Sequence, residues 1–211
     1  MIDFKYLDKL ISPNESKILM LVIDGLGGLP EKNTGKSELE VANIPNLDEL
    51  AKRSFCGFSR PVFEGITPGS APGHLGIFGY NPLKYIAGRG LLEASGIGID
   101  LSPTQIAVRG NFCTFENGKV IDRRAGRISN QRCFDLVNKL NQISVVGIKI
   151  DVYPVESHRF VVVFDLDPNV IKKISNNYLN EIDCTDVFCS INTSEDQTFA
   201  NLVNDFVEKS L

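Results

Sequence analysis

Ser70 stands within Gly65-Ile-Thr-Pro-Gly-Ser-Ala-Pro-Gly-His-Leu-Gly-Ile-Phe-Gly79, among small residues and glycines that leave a hydroxyl accessible. Pro72 suits the first turn of a helix, Gly69 lets the backbone bend sharply before it, and His74 lies one helical turn beyond the serine. A hydroxyl at a helix start meets unsatisfied backbone N–H groups and the positive end of the helix dipole, which favour a phosphate. With a metal nearby to lower its pKa, Ser70 is a candidate nucleophile. The same residues also fit an ordinary helix N-cap, for which serine is among the preferred types.

Upstream, Lys17-Ile-Leu-Met-Leu-Val-Ile-Asp24-Gly25 is an apolar run that ends in a carboxylate and glycine. It reads as a buried parallel strand over 17–24, because such strands are nearly continuous in Val, Ile and Leu. Ligands of open α/β sheets bind beyond the carboxyl ends of the strands, which makes Asp24 a candidate ligand for a hard metal ion. A carboxylate capping the following turn is the alternative.

The elements that must position these groups fall into two regions. The first, 1–105, holds the strand, a helix near 46–55 capped by Asn46, the serine turn and a helical stretch after Ser70, and reads as half of an α/β layer. The second, 106–211, begins with a hairpin across 106–122 whose turn is Glu116-Asn117-Gly118-Lys119. A helix over 129–140, strands near 147–153 and 159–165 and a final helix follow. Ser194 and Gln197 make a capping box for that last helix, and Phe199, Leu202, Val203, Phe206 and Val207 lie on one of its faces. The Gly- and Arg-rich segment 105–128 joins the regions, as a fixed crossover or a hinge.

Several motifs now stand in a recognisable order. Asp24-Gly25 is followed by Gly35-Lys36-Ser37-Glu38 through Pro45-Asn46-Leu47-Asp48, then Pro68-Gly69-Ser70-Ala71-Pro72-Gly73-His74 and Phe78-Gly79-Tyr80-Asn81-Pro82. Gly88-Arg89-Gly90-Leu91-Leu92-Glu93-Ala94, Arg109-Gly110-Asn111-Phe112 and Asp122-Arg123-Arg124-Ala125-Gly126-Arg127 complete the set. From about residue 17 to about 165 the chain resembles the archaeal-type cofactor-independent phosphoglycerate mutases of the alkaline phosphatase superfamily, and more weakly beyond.

The resemblance implies an α/β chain: part of an alkaline-phosphatase-like core, 1–105, followed by a smaller α+β inserted domain, 106–211. It implies an isomerase that interconverts 3-phosphoglycerate and 2-phosphoglycerate in glycolysis and gluconeogenesis through a phosphoserine intermediate. Ser70 would be the nucleophile and a metal ligand, Asp24 a further metal ligand, and Arg109, Arg123 and Arg127 the substrate clamps. Two divalent ions, manganese or zinc, serve the complete family enzyme, without added 2,3-bisphosphoglycerate. The chemistry agrees, since phosphoryl transfer needs an oriented nucleophile and positive charge on the phosphate oxygens, and arginine's planar fork suits both phosphate and carboxylate. A solvated strand end is the alternative for these arginines. Strand alternation would turn Arg124 away from the face of Arg123. His74 would orient the serine or pack on its helix, and His158 would contribute from His158-Arg159.

The family runs to roughly twice this length and returns with Asp and His ligands in its second half, whereas this chain has two histidines. The resemblance therefore places the end of the chain inside the inserted domain, with the remaining half or another copy as a partner. Gly28, where related sequences carry Asp, and Asp167-Pro168-Asn169-Val170-Ile171-Lys172 are smaller departures. A phosphatase or phosphotransferase of the same superfamily is a second reading, and a non-catalytic partner-binding chain a third.

Composition is compatible with all three: 211 residues, 43% hydrophobic and 23% charged, describe a chain able to bury a core. A net charge of −4 and the lack of a basic block argue against nucleic-acid binding. No apolar run is long enough for a bilayer and no signal core opens the chain, so a cytoplasmic location is expected. The serine loop lacks the Gly-Lys-Ser/Thr ending of a P-loop, which argues against nucleotide binding. Cys56, Cys113, Cys133, Cys184 and Cys189 form an odd set without Cys-x-x-Cys spacing and read as reduced thiols, although Cys184 and Cys189 are near enough in sequence to pair on oxidation.

Overall fold

The computed structural model describes residues 6, 9–23, 26–66, 68–85, 88–174 and 197–211. The chain divides into two compact units, Met1–Arg60 and Pro61–Leu211. The boundary expected from sequence near residue 105 falls inside the second unit.

Among its described residues the first unit carries two short helices, α1 (Glu38–Val41) and α2 (Pro45–Lys52). Glu40 reaches back to accept from the backbone N–H of Ser37 at 2.8 Å, which closes the first turn of α1 and holds the Glu40 carboxyl below its ordinary pKa. Pro45 occupies the first turn of α2 and Ile44 precedes it, so Asn46 lies inside the helix rather than capping it. A proline there needs no N–H and already has a helical φ. The apolar run departs further from expectation: residues 17–23 form no strand, and Ile18 and Leu19 are 95% and 93% exposed. A continuous apolar strand is buried only when other strands and covering helices flank it, and no described strand pairs with this run.

The second unit contains α3 (Ser70–Ile77), α4 (Arg89–Gly96), β1 (Gln105–Asn111), β2 (Thr114–Glu116), β3 (Lys119–Asp122), α5 (Asn130–Leu140), β4 (Lys149–Pro154), β5 (Arg159–Asp165), α6 (Pro168–Ile174) and α7 (Gln197–Ser210). The main sheet is antiparallel in the order β1-β5-β4, with Val108 opposite Val162 and Val152 also opposite Val162. The hairpin expected across 106–122 is thus confined to β2 and β3, while β1 pairs with β5. Asn117 and Gly118 turn that hairpin at φ values of 52° and 78°, a left-handed pair that Asn-Gly adopts readily.

Alternation along β5 explains the layering. Phe160, Val162 and Phe164 face a core built with Cys133, Val137 and Leu140 of α5 and Phe199, Val203 and Phe206 of α7. Val161 and Val163 face the other way, against Ala94 of α4. The central strand is therefore covered on both faces, which accounts for its run of aromatic and β-branched residues. Phe164 meets Phe199 and Phe206 edge to face, with ring centroids 5.5 and 6.1 Å apart.

Helix α5 starts at Ser129, whose Oγ accepts from the N–H of Arg132 at 3.2 Å. The side chain of Asn141 at its far end donates to the carbonyl of Val152 and accepts from the Val152 N–H, both at 2.8 Å, fixing α5 to the edge strand β4. The apolar face expected for the last helix is the one that packs; its expected cap at Ser194 lies outside the described residues, as do Cys184 and Cys189. Cys56, Cys113 and Cys133 are free thiols, and burial pushes those of Cys113 and Cys133 up in pKa. Among the described residues no helix is long and apolar enough to cross a membrane.

Candidate active site

The same alternation that buries Val161 and Val163 sends Arg159 to the α4 face of the sheet, and Arg109, paired opposite Val161, to that face as well. Glu93 meets them there. It follows Gly90 by three positions and precedes Ala94, both buried, so it lies on the sheet-facing side of α4. One carboxylate oxygen, Oε1, stands 3.4 Å from a terminal nitrogen of Arg109 and 3.6 Å from one of Arg159. The Glu93 side chain is only 16% exposed, and those of the two arginines 22% and 31%. Arg159 also pairs with Glu156 on its outer side.

Beyond β3 the chain turns tightly through residues 123–127. The Asp122 carboxylate accepts from the backbone N–H of Arg124 at 2.8 Å and of Gly126 at 2.7 Å, and these two bonds hold its pKa below the usual carboxylate range. Ala125, Gly126 and Arg127 follow in succession at φ values of 45°, 64° and 58°. For alanine and arginine that conformation carries strain, and strain of this kind gathers at functional sites.

His158 lies where these parts converge. Its backbone is held by the Phe112 N–H, which donates to the His158 carbonyl at 2.8 Å, and by Ser157, which sits at a φ of 55° and donates its N–H to Asn130 Oδ1 at 2.7 Å. Partial burial lowers the His158 pKa, and the charges of Arg159, Arg124, Arg127 and Arg109 lower it further. The charges of four arginines therefore reach this partly buried imidazole.

Ser70 is the first residue of α3, with Gly69 extended before it, and the first helical bond runs from the Gly73 N–H to the Gly69 carbonyl at 2.9 Å. His74 follows on the next turn and is exposed. Helix α3 leans on α4, which in turn lies on β1 and β5, so the serine helix and the arginine strands belong to one packed body. Asp24 lies outside the described residues. Among the described residues no three His, Cys, Asp or Glu side chains come together as a metal site.

Strand β3 ends at Asp122, so strand alternation does not govern 123–127. Arg123, Arg124 and Arg127 are all exposed, and the charges of Arg124 and Arg127 lower the His158 pKa. Arg159, Asp122 and Glu93 were not singled out as site residues by sequence reasoning. Alternation from Val161 back to Arg159, and the spacing of Glu93 from Gly90, are the signals that would have found the first and last.

The serine helix and the arginine-bearing strands thus lie in one α/β unit. Residues 51–211 match the family model for 2,3-bisphosphoglycerate-independent phosphoglycerate mutase. Proteins named as probable members are 52% identical over 164 residues in Aquifex aeolicus and 51% identical over 158 residues in Deinococcus radiodurans, covering 75% and 74% of this chain. A solved protein from Pyrococcus horikoshii aligns over 89% of this chain and 41% of its own, at 29% identity and a TM-score of 0.60. The chain belongs to the 2,3-bisphosphoglycerate-independent phosphoglycerate mutase family. It spans about 40% of the length of the curated relatives it matches.

Proposed function

We propose that this chain is the serine- and arginine-bearing part of a cofactor-independent phosphoglycerate mutase, carrying part of a phosphatase-like core and the domain inserted into it. The observation that supports this reading most is that Arg109 of β1 and Arg159 of β5 lie on one face of the sheet about Glu93, in the same unit as the helix that begins at Ser70. A phosphoglycerate carries a phosphate and a carboxylate on a three-carbon frame, and a mutase must hold the glycerate while its phosphate is away. Several guanidinium groups, each able to pair two oxygens, serve that need better than a simple phosphatase requires.

In the forward direction the Ser70 hydroxyl oxygen attacks phosphorus, the bond from phosphorus to the glycerate C3 oxygen breaks, and the serine proton passes to that leaving oxygen. The arginine-held glycerate then presents its C2 hydroxyl, whose oxygen attacks the phosphoserine phosphorus as the bond from phosphorus to the Ser70 oxygen breaks, and the C2 hydroxyl proton passes to that serine oxygen. The N–H groups that open α3 and its dipole favour the phosphate during both transfers. Ser70 and Asp24 are the proposed ligands of divalent ions, manganese or zinc, whose role would be charge neutralisation at the phosphate. The proposed setting is glycolysis and gluconeogenesis in the cytoplasm.

The test is conversion of 3-phosphoglycerate to 2-phosphoglycerate with manganese and no added 2,3-bisphosphoglycerate, for this chain and for Ser70→Ala. Turnover abolished by Ser70→Ala is the expected result if the chain is sufficient. Calorimetric binding of 3-phosphoglycerate without turnover is the result expected if the further length seen in relatives completes the catalytic site. A folded chain that neither turns over nor binds phosphoglycerate overturns the reading.

A further inference from the structure

The geometry points to Glu93 as a positioning residue that sets the arginine clamp, joining Arg109 of β1 to Arg159 of β5 through a single carboxylate oxygen. This rests on the clamp reading above and adds to it a residue that does not itself touch the substrate.

A carboxylate is an unexpected neighbour for an anion site, because its charge opposes the ligand. Its burial makes the placement specific: at 16% exposure, Glu93 is held among two guanidinium groups rather than in solvent. Its backbone cannot drift, since Gly90 one turn earlier lies directly against the carbonyl of Ala107 and Ala94 is fully buried beside Val161 and Val163. The distances of 3.4 and 3.6 Å suit ion pairing to both arginines. Arginine has several rotatable bonds, and an anchored carboxylate restricts them before ligand arrives, which lowers the ordering cost of binding. Helix α4 also supports α3, so the carboxylate links the clamp to the helix that begins at Ser70.

Two roles for Glu93 predict opposite signs. If it merely offsets positive charge, removing its charge strengthens the local field and tightens anion binding. If it positions the arginines, the same change weakens binding because the guanidinium groups lose their fixed orientation.

Titration of 3-phosphoglycerate into the full 211-residue chain by calorimetry separates them, using wild type, Glu93→Gln, Glu93→Asp, Arg109→Ala and the Glu93→Gln/Arg109→Ala double variant. Thermal unfolding and near-ultraviolet circular dichroism report whether each variant keeps its fold. Glu93→Gln is expected to weaken binding about tenfold, the scale of one charge-assisted hydrogen bond. Glu93→Asp, which keeps the charge but withdraws it by one methylene, is expected to weaken binding as well, and it carries the test if Glu93→Gln does not fold. The double variant should bind less than additively weaker, because Glu93 acts through Arg109. Unchanged or tighter binding in a folded Glu93 variant, or full additivity in the double, overturns the inference while leaving the clamp intact. No binding by wild type, or no loss in Arg109→Ala, overturns the clamp reading and this inference with it.

Discussion

Gly90 of α4 approaches β1 so closely that a Cβ built on it would collide with the backbone carbonyl of Ala107. On an isolated helix, Gly90→Ala would gain about 1 kcal/mol from helix propensity. Here the added methyl must push α4 off rigid strand backbone, and overpacking of that kind costs about 1–3 kcal/mol. Gly90→Ala is therefore expected to lower stability in a urea titration, and to weaken phosphoglycerate binding by displacing Glu93. A raised denaturation midpoint would show that α4 does not press on β1 as described.

Asp122 organises the arginine turn through two backbone N–H groups, and those bonds are stronger to its ionised form. Its folded pKa is lowered, so its contribution is present above the unfolded carboxylate value and is lost as pH falls through the lower folded value. Asp122→Ala should speed amide hydrogen exchange at Arg124 and Gly126 at neutral pH. In wild type the corresponding loss of protection should appear only in acid. Equal protection in both proteins would remove Asp122 from this role.

His158 supplies a pH signature. Its pKa is depressed, so between the depressed value and the ordinary value near 6.5 the unfolded chain binds more protons than the folded one. Stability therefore declines as pH falls below about 6.5 in proportion to that difference. A bound phosphoglycerate places negative charge beside the ring and favours the imidazolium. Proton NMR of the His158 ring should show a titration midpoint below the ordinary histidine value in the free chain and a rise on adding 3-phosphoglycerate. A midpoint indifferent to ligand would mean the anion does not sit among these arginines.

The buried core offers a check on the sheet itself. Phe164 has no exposed surface and is clasped by Phe199 and Phe206 from α7. Phe164→Ala should cost about 3–5 kcal/mol by denaturant unfolding. A loss of less than about 1 kcal/mol would be outside the range for buried aromatic truncation and would argue against α7 packing here.

Local signals in the chain were legible to different degrees, for physical reasons. Ser129 caps α5 and Asn117-Gly118 turns the β2-β3 hairpin because both depend on chemistry within a few residues. The pairing of β1 with β5 was not legible, because about fifty residues intervene and alternation identifies faces without naming partners. The run 17–23 misled for the complementary reason: its composition suits a doubly covered strand, yet burial depends on neighbours that composition does not contain. At the site, Ser70 and the arginines stood out by residue type, whereas Glu93 looked like an ordinary helix carboxylate until α4 was placed on the sheet.

Arg123 and Arg124 give the sharpest comparison between the two levels of reading, because they are adjacent and chemically identical. Extending β3 by one residue would put Arg123 on the functional face and Arg124 away from it. The Asp122 bonds instead stop the strand and wind the backbone; Arg123 and Arg124 are both exposed, and the charge of Arg124 acts on His158. Arg124→Ala should weaken 3-phosphoglycerate binding by about tenfold or more, as expected for loss of a charge-assisted contact. Arg123→Ala, which removes the same charge one residue away, should change affinity only by the weak, salt-screened effect of a surface cation. Measuring both variants at low and at physiological salt separates contact from field. A deficit in Arg124→Ala that persists at the higher salt marks a direct contact, and the reverse ranking would restore the strand register that the turn replaces.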